Sequence, residues 1–148
     1  EMSGHIFFGE DFYGFYDAFF AALKLLEYLS SHAKTLSELV ATTPYYIATP
    51  TIQVKTTDEH KYKIVDELVK MFKHEGYKVI DINGGRVYVT DGAGQTGWGL
   101  IRASSNTPSL VLRFEAKTHE MLETIKNLFR DKMAKFENVS KEWDTSGH

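Results

Sequence analysis

The chain has 148 residues, enough for one packed domain and a piece of a second. Its 43% hydrophobic and 25% charged residues make an ordinary water-compatible mix, with no apolar run of about 18 residues to cross a membrane. The net charge of −3 argues against a nucleic-acid surface, and zero cysteines exclude disulfides and thiolate metal sites and fit a cytoplasmic protein. No basic stretch followed by an apolar one opens the chain, so no signal peptide is expected. The abrupt start at Glu1 and the close on Ser146-Gly147-His148 read as cut ends, the latter as the root of a purification tag.

Ile6-Phe7-Phe8 reads as a strand end. Phe15, Ala18, Phe19, Ala22, Leu25, Leu26 and Leu29 recur at helical spacing, with Asp17, Lys24 and Glu27 on the other side. They predict an amphipathic helix of about four turns ending near Ser30-Ser31. The aromatic stripe from Phe12 to Phe20 is expected to pack into a core. Thr35, with Glu38 three residues on, predicts a capping box and a short second helix. Thr43-Pro44 and Thr49-Pro50 mark an extended connector, so a domain boundary is expected at about residue 50.

From Thr51 the period changes. Thr51–Thr56 alternates, with Ile52 and Val54 on one face, and predicts a strand. Thr57 or Asp58 is expected to cap a helix carrying Ile64, Val65, Leu68 and Phe72, stopped at Gly76. Lys78–Ile82 and Arg86–Thr90 read as strands joined by Asn83-Gly84-Gly85, a hairpin signal. Trp98–Ala103 and Ser109–Ala116 form the next pair. Thr118 caps a last helix with Leu122, Ile125, Phe129, Met133 and Phe136 inward, and order is expected to fade after Asn138. Residues 51–137 thus predict an α+β layer, an antiparallel sheet with helices on one face. Residues 1–48 are too few to bury their aromatic stripe and read as the tail of another domain.

Arg102-Ala103-Ser104-Ser105-Asn106-Thr107-Pro108 lies between two of these strands. It offers one guanidinium, three hydroxyls and an amide, with no carboxylate among them. Short polar side chains on a turn leave backbone N–H groups free, and Arg adds a planar charged fork. That set suits a phosphate dianion, although a polar turn before Pro is also an ordinary hairpin connection. At the start, Glu1, Ser3 and His5 alternate onto one side of an extended segment, a set able to grip sugar hydroxyls; a frayed terminus is the bland alternative.

Other motifs carry less. Gly92-Ala93-Gly94-Gln95-Thr96-Gly97 matches G-x-G-x-x-G, but Trp98-Gly99-Leu100-Ile101 after it is β-like, so the dinucleotide context fails and a loop is expected. Asn138-Val139-Ser140 is a chance sequon. His5, His32, His60, His74 and His119 show no metal-ligand spacing, and no metal site is expected.

The two polar stretches together resemble the α-D-phosphohexomutase family, on the bacterial phosphomannomutase/phosphoglucomutase branch. Glu1-Met2-Ser3-Gly4-His5-Ile6-Phe7-Phe8 is similar to the family's Gly-Glu-x-Ser-Gly-His sugar loop, lacking the leading Gly. Arg102–Pro108, between Trp98-Gly99-Leu100-Ile101 and Leu110-Val111-Leu112-Arg113-Phe114-Glu115-Ala116, resembles its Arg-x-Ser-Asn/Gly-Thr-x-Pro phosphate loop. Ser105 and Asn106 stand where the family has Asn or Gly, then Thr. Both still donate hydrogen bonds, and which of Ser105, Asn106 and Thr107 touches phosphate is open.

The resemblance implies the C-terminal portion of a four-domain enzyme. Residues 1–50 would end the third, α/β domain, residues 51–137 would form the fourth, TATA-binding-protein-like domain, and residues 138–148 a tail. Such enzymes move a phosphoryl group between the C1 and C6 oxygens of a hexose through a bisphosphate such as glucose 1,6-bisphosphate. A phosphoserine in the first domain and an Asp-rich Mg²⁺ loop in the second do the chemistry; neither motif occurs in this chain, so no catalytic and no metal residue is assigned. Glu1, Ser3 and His5 would hold sugar hydroxyls. Arg102, Ser104, Ser105, Asn106 and Thr107 would clamp the phosphate that is not reacting. The implied partners are mannose or glucose phosphates and the N-terminal domains of the same protein, with no nucleic acid and no membrane. A stand-alone phosphosugar-binding or regulatory module is the alternative.

Overall fold

A computed structural model describes residues 4–10, 12–94 and 96–145. The chain divides into two compact units, Glu1–Pro44 and Tyr45–His148.

In the first unit, α1 (Ala18–Ser30) starts where the Asp17 carboxylate accepts the Phe20 N–H at 2.7 Å. Asp17 is therefore the cap of the helix and not part of its polar side. α2 (Leu36–Val40) carries the expected capping box, with Thr35 and Glu38 exchanging side-chain-to-backbone bonds. The expected core packing of the aromatic stripe is not found. No described residue of this unit is buried, and Phe19 is 84% exposed. The rings pack on each other instead, Phe20 against Phe12 at 4.3 Å and Phe8 at 5.1 Å. Among the described residues of this unit no second layer covers the helix, so within the unit its stripe has little apolar surface to be buried against.

The second unit is a six-stranded antiparallel sheet. Its strands are β1 (Ile47–Ala48), β2 (Ile52–Lys55), β3 (Lys78–Ile80), β4 (Gly85–Thr90), β5 (Thr96–Ala103) and β6 (Ser109–Ala116). The order is β1-β6-β5-β4-β3, and β2 also pairs with β6, in the register Ile52↔Leu112 and Lys55↔Ser109. Alternation sends Val54, Val87, Val89, Ile101, Leu112 and Phe114 to one face. There they meet Ile64, Leu68 and Phe72 of α3 (Lys61–His74) and Ile125, Phe129 and Met133 of α4 (His119–Met133). Each such side chain contributes about 1.5–3 kcal/mol through removal from water. The helix lies close: a Cβ on Gly99 would stand 2.5 Å from the Phe129 ring. Arg86, Tyr88, Trp98, Leu100, Arg102, Arg113 and Glu115 take the opposite face by the same alternation.

Three expectations are corrected here. Neither Thr57 nor Asp58 caps α3. His60 stands at that position without capping the helix, its ring lying 2.7 Å from the Thr57 hydroxyl instead, because Thr57 to His60 form a turn of their own and Asp58 turns its carboxylate to the Lys61 ammonium. β3 ends at Ile80, since Asp81 leaves the ladder for an ion pair with Lys73 at 2.6 Å. Order also persists past Asn138. Ser140 N–H donates to Lys55, Gln53 and Asp144 exchange backbone bonds of 2.9 Å, and Trp143 stacks on Phe114.

α3 stops as expected at Gly76. The Gly76 N–H reaches Lys73 O and the Tyr77 N–H reaches Phe72 O, with the Tyr77 ring against Phe72. These are the paired bonds and apolar contact of a Schellman end.

Candidate functional site

β5 and β6 pair as far as Ala103↔Leu110, so Arg102–Pro108 spans the end of one strand and the connection to the next. The connection is closed by Ser104 N–H on Ser109 O at 3.0 Å and Ser109 N–H on Thr107 O at 2.8 Å. At its centre sits the Ser104 hydroxyl oxygen. It accepts the Asn106 N–H at 3.3 Å, the Thr107 N–H at 3.2 Å and the Thr107 hydroxyl at 2.8 Å. The Thr107 hydroxyl also lies 2.7 Å from that of Ser109, which is buried. Two backbone N–H groups and a hydroxyl thus converge on one oxygen, the geometry in which a turn holds an anion.

The outer part of the loop is free. Ser105 and Asn106 are exposed, and their side chains bond no described residue. Arg102 is exposed as well, and its side chain has no ion pair or hydrogen bond among the described residues. The strand aims it away from the helices, since Ile101 before it is buried. The turn at Gly84 lies against this stretch: a Cβ there would stand 2.2 Å from the Ile101 carbonyl and 2.8 Å from the Arg102 Cβ.

The same sheet face carries two more guanidinium groups. Arg86 stacks over Trp98 at 4.0 Å, and Arg113 bonds Glu115 at 2.9 and 3.0 Å. The Nε of Arg86 and an Nη of Arg113 are buried with no acceptor. The face around Arg102 is therefore positive, with Glu115 as its carboxylate. The carboxyls that ion pairs or caps hold below their usual range, Glu38, Glu75 and Asp81, all lie outside the loop.

One residue beside the loop is absent from the sequence-based set. Lys61 is 4% exposed, and its ammonium lies 2.6 Å from Asp58 Oδ1 and 3.3 Å from Thr107 O. The β2–β6 pairing brings it there, because Lys55 sits opposite Ser109 and the Thr56 N–H donates to Pro108 O. No local signal in the sequence marks that meeting.

Of the proposed sugar-binding residues, Glu1 and Ser3 lie outside the described residues. His5 is half-buried, edge-on to the Tyr16 ring at 4.6 Å. It belongs to the unit Glu1–Pro44, whereas all five loop residues belong to Tyr45–His148.

Comparison with known proteins gives this geometry a context. Residues 52–132 match the family model described as phosphoglucomutase/phosphomannomutase, C-terminal domain, and residues 1–46 match that of its alpha/beta/alpha domain III. A phosphomannomutase/phosphoglucomutase of Pseudomonas syringae pv. tomato is 44% identical over 135 residues, covering 91% of this chain and 28% of that protein. A phosphoglucomutase of Neisseria meningitidis serogroup A is 42% identical over 132 residues, covering 88% of this chain and 27% of that protein. A crystal structure of a phosphoglucomutase/phosphomannomutase family protein from Burkholderia thailandensis superposes with a TM-score of 0.71 at 37% identity, over 91% of this chain and 27% of that one. The chain thus spans about 28% of the length of the curated relatives it matches. On these matches, and on an antiparallel sheet with its polar loop in the matched region, the chain belongs to the phosphoglucomutase/phosphomannomutase family.

Proposed function

We propose that this chain supplies the substrate-holding C-terminal part of a hexose phosphomutase, which interconverts hexose 1-phosphate and hexose 6-phosphate. The observation that carries the reading is the loop itself. Arg102, Ser105 and Asn106 are exposed and unengaged, and the Asn106 and Thr107 N–H groups converge on a single oxygen. A phosphate oxygen takes the place of that oxygen when the Ser104 side chain rotates aside. Ser104 then joins Thr107 as a donor, and Arg102 bonds the dianion from the strand side. Anchoring the phosphate that does not react gives binding energy and orientation to chemistry carried out elsewhere. Several donors of modest individual strength also suit a bisphosphate that must present each end in turn.

Glu1, Ser3 and His5 hold sugar hydroxyls in the same reading. The phosphoserine and the Mg²⁺ of the reaction belong to segments this chain does not contain. No group of three or more His, Cys, Asp or Glu able to hold a metal ion is found among the described residues. The chain by itself is assigned binding and no turnover.

The test is calorimetric titration of the chain with glucose 1-phosphate, with glucose as the control. Arg102→Ala removes a charge-assisted contact of about 1.5–3 kcal/mol, so affinity falls roughly ten- to a hundredfold. Arg102→Lys keeps the charge, loses the fork and lands between. Equal affinity for wild type and Arg102→Ala would count decisively against the clamp.

A further inference from the structure

Two lysines are buried in the second unit, and only one has an evident structural reason. Lys132 sits in the last turn of α4, where a cation is favoured, and bonds both oxygens of Glu75. Lys61 is the first residue of α3. Free N–H groups make that end of a helix positive, so an ammonium there is opposed by the helix as well as by its own burial. Asp58 offsets part of this at 2.6 Å, but its side chain is mostly exposed, which weakens the pair. The ammonium also stands 5.3 Å from the centre of the Tyr62 ring, and it donates to Thr107 O, a carbonyl of the loop.

We propose that Lys61 is a positioning residue of the phosphate loop, and that the Asp58 carboxylate partly offsets the positive field it sets there. The inference rests on the phosphate reading above. Thr107 O already accepts the Ser109 N–H at 2.8 Å, and Lys61 adds a second donor to it at 3.3 Å. The two bonds fix the Thr107–Pro108 peptide. That sets where the Thr107 N–H and hydroxyl stand relative to Ser104. Behind this arrangement lies a positive charge that the loop's own residues, apart from Arg102, do not supply. A phosphate in the loop and the Asp58 carboxylate then compete for one ammonium.

The competition gives a test with opposite signs. Chemical shifts of the chain are followed as inorganic phosphate is added, alongside thermal melts. Lys61→Met weakens phosphate about tenfold, because Thr107 O loses its charged donor and the loop loses the charge behind it, while Lys61→Arg stays within about threefold of wild type. Asp58→Asn tightens phosphate by about threefold, because the ammonium no longer shares its charge with a carboxylate. A purely structural ion pair predicts the reverse for Asp58→Asn: a lower Tm and equal or weaker binding, and that result overturns the inference. Unchanged affinity in Lys61→Met, with wild type still binding, overturns it too and leaves the phosphate reading standing. Wild type failing to bind phosphate removes both. Should Lys61→Met fail to melt cooperatively, Lys61→Arg and Asp58→Asn decide the matter between them.

Discussion

Gly84 sets how near the turn between β3 and β4 comes to the strand that carries Arg102. Its φ of +85° is a conformation other residues resist, and a methyl group there would meet the Ile101 carbonyl at 2.2 Å. Backbone on that side has no flexible end to move away. Gly84→Ala should therefore cost about 2–4 kcal/mol from left-handed strain plus overpacking, read as a Tm fall of roughly 10 °C or more. A Tm within about 2 °C of wild type would show that the turn does not bear on β5. Legibility at this scale depended on distance along the chain. Arg102 to Thr107 are contiguous, so their shared chemistry shows in the letters. Lys61 meets Thr107 across 46 positions, through a strand pairing that no local pattern announces. The misplaced cap has a local origin instead: Asp58 has the right chemistry for a helix start, but a lysine three residues on takes its carboxylate.

The elements whose period and punctuation agreed came through from the sequence with small shifts. β6 runs from Ser109 to Ala116 as expected, and Thr118 caps α4 by accepting the Met121 N–H. What periodicity does not report is which layer covers a stripe, so of the aromatics around α1 that looked like core, Phe12 and Phe20 are only half-buried and Tyr13, Phe15, Tyr16 and Phe19 are exposed. It also gave no sign of the C-terminal tail, whose order comes from pairing with β2 and from Trp143 on Phe114. The two helices of the second unit are tied at their ends by Glu75 and Lys132. The bond to Lys132 holds the Glu75 carboxyl below the usual glutamate range. A lowered carboxyl adds stability above its unfolded value near 4.5, and the contribution disappears as pH falls through the lower folded value. Glu75→Gln should accordingly lower Tm at neutral pH and flatten its decline below about pH 4.5. Parallel Tm curves for the two proteins across that range would exclude the tie as a source of acid sensitivity.

On the scale of the whole chain, burial is unequal between the units. Every buried core side chain belongs to Tyr45–His148, whereas no described residue before Tyr45 is buried. Conformational entropy of about 1–2 kcal/mol per residue has to be offset by such burial. Residues 45–148 expressed alone should thus melt cooperatively near the Tm of the sheet in the full chain. Residues 1–44 alone should show no cooperative transition by calorimetry. A sharp melt from the short piece would contradict the burial argument. The tail laid along β2 has a different consequence, for self-association. A strand at the margin of a sheet is an open template for another chain, and here Ser140 and Asp144 already occupy the main-chain groups of Lys55 and Gln53. The opposite margin, β3, is three residues long and begins with a charged Lys78. Copies of this molecule meeting at high concentration find no long unpaired ladder at either margin of this sheet among the described residues, so cross-β growth there has little to nucleate on while the tail stays in place.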